Sequence, residues 1–425
     1  MLIVDPEAAP PRPSCADEHD ARALPVQEAL ARIHADIAII PGCERIALRS
    51  ALGRILARDV RSPLPVPGHA NAAMDGYALR GADLPSAGTR ELEVRGTAFA
   101  GRPFEGGVGT GQCVRIMTGA VMPEGADTVL MQERVEALGK NAIRIGPGHA
   151  GDNVRPAGED LAVGQVALEA GRRLTPADLG LVASLGIGEI SVHRRLRVAF
   201  FSTGDELRSI GEPLVPGAVY DSNRYTLYGA LTRLGAEAID MGVVPDVPDA
   251  VKAAFEEAGG CADVLITSGG ASVGEADFIF DTLGTVGRVA FWNVATKPGR
   301  PIAFGRVGGA VFFGLPGNPV SVMATYYQFV QPALRRMAGE SNWLPLVVQA
   351  RCTKPLKKKP GRVEYQRGIL DRDAQGGLLV HATGPQGSAI LRSMSEADCF
   401  IVLPHDWGRV EPGTLVDVQP FFGLV

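Results

Sequence analysis

Three short segments bring hydroxyls, carboxylates and glycines together at a spacing that suits an anionic ligand: Ser202-Thr203-Gly204-Asp205-Glu206, then Pro245-Asp246, then Thr267 through Asp277. In the third, Gly269, Gly270 and Gly274 let the backbone approach a ligand closely, while Ser268 and Ser272 supply hydroxyls. A helix starting just beyond would add unpaired N–H groups and a partial positive charge. The turn is no Walker loop, because Glu275 stands where that motif needs lysine, which disfavours P-loop triphosphate hydrolysis. Lys297-Pro298-Gly299-Arg300-Pro301 fixes two cations in a proline-bounded loop. Leu315-Pro316-Gly317-Asn318-Pro319 reads as a helix start, with Asn318 at the cap and Pro319 in the first turn. Singly, each motif is equally a tight turn or a helix opening; together they predict a site for a phosphate-bearing or oxyanionic small molecule.

The elements that must position these groups alternate in type. Strand-like runs at 197–201, 236–243 and 264–267 alternate with helical stretches at 225–234, 248–258 and 276–283. That order predicts a doubly wound, mostly parallel sheet over residues 195–344, with ligands beyond the carboxyl ends of its strands. Residues 63–157 carry short β-type runs (92–94, 114–117, 129–132, 142–145) between glycine-rich turns, and predict a β-rich domain inserted between two parts of another, 22–62 and 158–194, of helical and linker character. The first helix follows Pro25, with Val26, Ala29, Leu30 and Ile33 on one face. Residues 1–21 predict a disordered lead-in. Five short strands in 345–425 predict a small β-barrel that adds binding surface.

Composition narrows the class. A chain of 425 residues with 46% apolar and 21% charged residues predicts two to four ordinary globular domains. A net charge of -5 gives no footprint for nucleic acid, and no apolar run approaches the ~18 residues of a membrane span. The acidic, proline-rich start is unlike a signal peptide, so a cytoplasmic location is expected. The six cysteines form no CxxC pair and the seven histidines show no metal spacing, which leaves a histidine-centred mechanism unsupported. The basic run Lys354, Lys357, Lys358, Lys359 and Arg362 reads as a solvated loop.

In order and spacing, Phe201 to Leu207, Tyr220-Asp221-Ser222-Asn223, Thr267 to Gly270 with Val273 to Asp277, Lys297 to Pro301 and Leu315 to Pro319 resemble the molybdopterin molybdenumtransferase family, to which the E domain of gephyrin is similar. Upstream, Ala73-Met74-Asp75-Gly76-Tyr77-Ala78, Ala98 to Gly101, Arg115 to Ala120 and Gly158-Glu159-Asp160 match as well, and downstream so do Tyr365-Gln366-Arg367-Gly368 and Gly387-Ser388. The resemblance runs from about residue 22 to 425.

It implies an enzyme that inserts molybdate into adenylyl-molybdopterin, releases AMP and forms molybdenum cofactor. Bare carboxylates would repel such anions, so the resemblance together with the acids implies Mg²⁺, held by Glu206, Asp246 and Asp277. Lys297, Arg300 and the glycine loop would bind phosphate or molybdate, with Ser202, Thr203, Gly204, Pro316 and Pro319 beside them. Asp205 is either a further substrate contact or a cap for the helix that follows. Arg367 and Ser388 match family positions for pterin-phosphate contacts. Asp75 and Thr118 would join the catalytic set from the partner subunit of a homodimer with a shared site, although Asp75 before Gly76 also suits a turn and Thr118 before Gly119 a strand exit. Partners implied are the molybdopterin adenylyltransferase and molybdenum-free apo-enzymes. Two positions depart from relatives: Arg300 stands where many carry lysine, and Asn293 where some bacterial ones do. Other readings are a molybdopterin adenylyltransferase, against which the three extra regions argue, a gephyrin-like scaffold, and a relative that loads tungstate.

Overall fold

The structure, a computed structural model, describes residues 23–269 and 278–423; the lead-in expected at 1–21 lies outside them. Helix α1 (Val26–Asp36) buries Val26, Ala29 and Ile33, three- and four-residue steps that make one apolar stripe. That stripe does not pack on residues 158–194, with which the sequence grouped it. It enters the core of the α/β region instead, beside Val198, Phe200, Ile302 and Phe304. Asp36 at its end pairs with Arg288 at 3.2 Å and Arg306 at 2.8 Å.

A second unit joins 43–61 to 161–193. Cys43–Ala47 pairs antiparallel with Glu189–His193, and helix α2 (Pro176–Ser184) opens on a capping box in which Thr175 and Asp178 satisfy each other's backbone N–H. Leu56, Leu168, Leu174, Val182 and Val192 form its core. Between its halves stands a six-stranded sheet, ordered Thr128–Met131, Gly76–Leu79, Gln112–Ile116, Arg90–Ala98, Ala142–Ile145 and Val135–Ala137. All four expected runs fall on strands of this sheet. Gly76–Leu79 was not expected, and its first residue shows why glycine stands there: a Cβ would lie 2.0 Å from the Leu130 carbonyl oxygen.

The α/β region runs β1 (Arg197–Thr203), α3 (Ser222–Leu234), β2 (Glu237–Val244), α4 (Pro248–Cys261), β3 (Val264–Ser268), α5 (Phe278–Val286), β4 (Gly287–Asn293), β5 (Thr296–Lys297), β6 (Pro301–Val307), β7 (Ala310–Leu315) and α6 (Pro319–Thr325). Its six-stranded sheet is ordered β2-β1-β3-β7-β6-β4. The first four strands are parallel, and β6 and β4 extend them antiparallel. Alternate residues of β1 serve opposite faces. Val198 and Phe200 pack with Leu227 and Leu231 of α3 and Val322 of α6, whereas Ala199 and Phe201 pack with Val251 and Phe255 of α4 and Ile279 of α5. Cover on both faces is why the central strands carry unbroken apolar runs, Val198 to Phe201 in β1, Val264 to Ile266 in β3 and Ala310 to Phe313 in β7.

The last region has the five expected strands: β8 (Val348–Cys352), β9 (Val363–Arg372), β10 (Leu378–Ala382), β11 (Cys399–Leu403) and β12 (Leu415–Pro420). They close in the order β9-β10-β8-β12-β11 and back to β9. The barrel is tied to the α/β region because β5 pairs in parallel with β9, Thr296 with Val363 and Lys297 with Glu364.

Candidate active site

The parallel strands end at one edge, where the sequence concentrates its polar groups. Ser202 and Thr203 close β1 beside Val243 and Val244 of β2, and Ser202 also pairs with Ser268 at the end of β3. All three polar residues are buried. Two glycines permit the turns that follow. Gly269 adopts φ +90°, and a Cβ on it would lie 2.2 Å from the Thr203 carbonyl oxygen. Gly204 adopts φ +151°, and a Cβ on it would meet Glu206 Oε2 at 2.6 Å. The Glu206 carboxylate is therefore folded back over the strand end.

Asp246 joins this edge from β2, accepting a bond from Thr203 Oγ1 at 3.4 Å. Burial holds its carboxyl above the ordinary carboxylate range, and the charges of Asp205 and Glu206 push the same way against the Thr203 bond. Three of the expected acids thus share one electrostatic neighbourhood. Asp205 caps no helix. A turn and the short strand Leu207–Arg208 follow it, and the next helix, α3, is capped by Asp221, which accepts from Arg224 N at 3.1 Å. Gly270, Ser272, Gly274 and Asp277 lie outside the described residues. Among the described residues, no three His, Cys, Asp or Glu side chains converge as a metal-holding group.

Beyond the edge lies a cavity of about 660 Å³. Glu206, Asp221 and Asn223 line one side, Thr296 to Pro301 and Pro316 to Pro319 another, and Arg362, Gln386, Gly387 and Ser388 of the barrel a third. Asn223 ties the walls together, its Nδ2 donating to Ser268 Oγ and to the Gly317 carbonyl, both at 2.7 Å. Lys297, half exposed, has Glu364 as its carboxylate partner at 3.4 Å, and Glu364 is buried. Arg300 is only 8% exposed. Its loop turns at Gly299, with φ +94°, against helix α6. Asn318 occupies the cap position and Pro319 the first turn of α6, but the Asn318 side chain makes no cap bond.

The structure separates some residues from this cavity. Arg367 does not line it. Its guanidinium, 1% exposed, donates to Ser393 Oγ at 3.0 Å and to the carbonyls of Pro385, Gln386 and Gly387. Burial pushes it down to about 10. It shapes the loop that presents Gly387 and Ser388, and the Ser388 carbonyl in turn accepts from Val320 N at 3.0 Å. Asn293 also stands off, with its carbonyl accepting from Leu24 N. Asp75 and Thr118 are absent from the lining but meet each other, since Asp75 Oδ1 accepts from both Thr118 N and Thr118 Oγ1 at 2.7 Å. Those two bonds hold the Asp75 carboxyl below its ordinary value.

Several lining residues were not singled out from sequence. Asp221 and Asn223 sit in a motif quoted for resemblance alone, and Gln386 carries no signal of its own. Arg362 was read as part of a solvated run. Lys354, Lys357 and Lys359 are exposed as that reading predicts, but Lys358 is 6% exposed and Arg362 reaches the cavity.

Residues 24–186 match the model of the MoeA N-terminal region (domain I and II), residues 199–336 the probable molybdopterin binding domain, and residues 349–421 the MoeA C-terminal region (domain IV). The molybdopterin molybdenumtransferase of Haemophilus influenzae is 45% identical over 384 residues, 90% of this chain and 95% of that protein. Gephyrin of Dictyostelium discoideum is 31% identical, with 88% of this chain and 58% of gephyrin covered. The crystal structure of the molybdopterin biosynthesis MoeA protein from Pyrococcus horikoshii OT3 superposes with a TM-score of 0.83 at 30% identity, covering 94% of this chain and 100% of that one. With the Haemophilus influenzae transferase matched over 95% of its length and the Pyrococcus horikoshii fold shared over 94% of this chain, this chain belongs to the molybdopterin molybdenumtransferase family.

Proposed function

We infer that this chain is a transferase that inserts molybdate into adenylyl-molybdopterin, releasing AMP and forming molybdenum cofactor. The observation that carries the reading is the cavity at the carboxyl edge of the sheet, which offers Lys297, Arg300 and Arg362 to a multiply charged ligand and has in its lining Glu206, whose charge acts on Asp246. Such a volume suits a pterin nucleotide and exceeds what a tetraoxoanion alone fills. The acidic group beside the cations favours catalysis over a purely scaffolding role.

The donors at the strand edge fit a magnesium ion. They are hard oxygens: Glu206 and Asp246, with Ser202 Oγ and Thr267 Oγ1 buried there without hydrogen-bond partners among the described residues. Burial first, then the charges of Asp205 and Glu206, holds the Asp246 carboxyl above its ordinary range, a setting in which a bound cation would be favoured. Glu206, Asp246 and Asp277 would hold the ion, which supplies charge neutralisation at the phosphoanhydride when bound. Around it, Lys297 and Arg300 orient the phosphates or molybdate, with backbone N–H groups near Gly269, Gly270 and Gly274 as further donors. Ser388 and Gly387 close the barrel side. Attack of water on the phosphoanhydride would release AMP and leave the phosphate on the pterin, and the dithiolene sulfurs would displace oxygen ligands of molybdate, which leave as water with the thiol protons. The protein's part is positioning and charge balance.

Asp75 and Thr118 belong to the same proposal as a contribution in trans, from the inserted domain of a second copy in a homodimer. Support comes from their mutual bonding at an exposed site away from the cavity. A cytoplasmic location is also proposed, supported by five described cysteines that are all free and by the absence among the described residues of any helix long and apolar enough to cross a membrane. Handover from an adenylyltransferase and delivery to apo-enzymes complete the proposal.

The test is AMP release, and activation of a molybdenum-free apo-enzyme, from adenylyl-molybdopterin with and without molybdate and Mg²⁺. Release that needs both is expected. No release from well-folded protein would overturn the reading.

A further inference from the structure

We propose that a basic cavity at the amino end of β1, on the far side of the α/β region from the candidate active site, binds a phosphate dianion and through it links the second unit to the α/β region. The cavity, about 270 Å³, shares no lining residue with the larger one. Arg54, Arg173 and His193 reach it from the second unit; Arg194 and Arg195 reach it from the approach to β1, and Arg233 from the last turn of α3. Among the described residues no carboxylate lines it.

The positive charge there is only partly balanced. Arg54 pairs with Glu44 at 2.7 Å, Arg173 with Glu340 at 2.9 Å and Arg194 with Asp263 at 2.7 Å, so three arginines have carboxylates behind the cavity wall. Glu340 is shared, because Arg335 holds it at 2.7 Å as well. Glu237 acts on Arg194 from outside the lining. Arg195 and Arg233, both exposed, have no carboxylate partner among the described residues. The Arg233 guanidinium makes no hydrogen bond there, and Arg195 uses one of its five N–H donors, Nη1 to the Gly235 carbonyl at 3.2 Å.

A simpler occupation for this cluster is the carboxyl end of α3, where the last carbonyls carry a partial negative charge. That end is already served. The Thr232 and Leu231 carbonyls accept from Gly235 N and Ala236 N, the Leu234 carbonyl from Arg173 Nη1 at 3.3 Å, and the Gly235 carbonyl from Arg195. All of Arg233 and four donors of Arg195 remain beyond what these carbonyls use. Forked guanidinium donors suit a tetrahedral oxyanion. The volume lies below the ~300–1,000 Å³ of sites for drug-sized ligands, so it suits inorganic phosphate or a short phosphomonoester and not a pterin nucleotide.

The experiment titrates inorganic phosphate into the full chain by calorimetry at fixed ionic strength, in wild type, Arg233→Met, Arg195→Met, the double variant and Arg300→Met. Loss of one charge-assisted bond predicts about tenfold weaker binding at this site in each single variant and no measurable binding there in the double. Arg233→Lys should retain part of the affinity, and because Arg233 is exposed its variants keep the fold, which circular dichroism checks. Arg300→Met should leave this site intact, and AMP release by Arg233→Met should match wild type. Methyl phosphate, titrated in parallel, distinguishes the sources: binding at least as tight as phosphate identifies a phosphomonoester ligand, and weaker binding identifies free phosphate. Phosphate binding that is unchanged in the double variant, that Arg300→Met abolishes entirely, or that potassium chloride reproduces at equal ionic strength would overturn the proposal.

Discussion

Replacing Gly299 by alanine tests whether the cation loop is held by the helix beneath it. At φ +94° an L-residue pays roughly 1–2 kcal/mol against the backbone. The added Cβ would also lie 2.4 Å from Thr325 Cγ2, where about 3.5–4.0 Å is the contact optimum. Absorbing more than about 1 Å of overlap in a packed site costs about 1–3 kcal/mol, so the substitution should destabilise by about 2–5 kcal/mol in all. The cheapest relief is to lift the loop off α6, and with it Lys297 and Arg300. A displacement near 1 Å lowers kcat/KM by about 100-fold. The assay pairs urea unfolding with AMP release. Thr325→Ser supplies the internal check, because it removes Cγ2 yet keeps the hydroxyl that bonds the Ser321 carbonyl at 2.7 Å. The double variant should recover the steric share and leave the backbone share. Wild-type kcat/KM in Gly299→Ala, or a double variant no better than the single, would refute the argument.

Asp246→Asn should raise Tm at neutral pH in metal-free buffer. A carboxyl whose folded pKa is raised stabilises the fold below its unfolded value, near ~3.9, and that contribution disappears as pH rises through the folded value. The variant should therefore flatten the fall in Tm between acid and neutral pH and also abolish the Tm rise produced by MgCl2; thermal melts across that range check both, and an unaltered magnesium response would exclude Asp246 as a ligand. Mixing Asp75→Ala chains with Glu206→Ala chains should restore AMP release in the heterodimer, whereas persistent inactivity in proven mixed dimers would put the two residues in separate sites.

Much of the α/β region was legible because its strands are buried on both faces and its helices alternate with them, so Val198 to Phe201 and Val264 to Ile266 stand out as unbroken apolar runs. The motifs after those runs share an edge for the same reason: parallel strands deliver their carboxyl ends together. What could not be read depends on contacts between residues distant in the chain. The bond between Thr118 and Asp75 spans 43 positions and leaves no periodic trace. Lys358 looks like its exposed neighbours until the turn it locks is seen, and Glu364 looks like any strand residue until β5 is found beside β9. Arg367 illustrates the opposite hazard, because a matching position suggested a ligand contact while its bonds go to the Pro385 to Gly387 carbonyls.

The seating of α1 bears on how the chain is made. Ala29 and Ile33 pack in the same core as Val311, Phe313 and Leu315, which lie about 280 residues further on. At the usual pace of synthesis, about 5–20 residues per second, the helix leaves the ribosome roughly 15–60 s before its seat exists. Through that interval its apolar stripe has no native cover, while the second unit and the inserted sheet can fold behind it. The α/β region is then completed by a piece of chain that waited for it, which couples α1 to a core whose strand β7 is translated about 280 residues later. Such long-range closure slows folding.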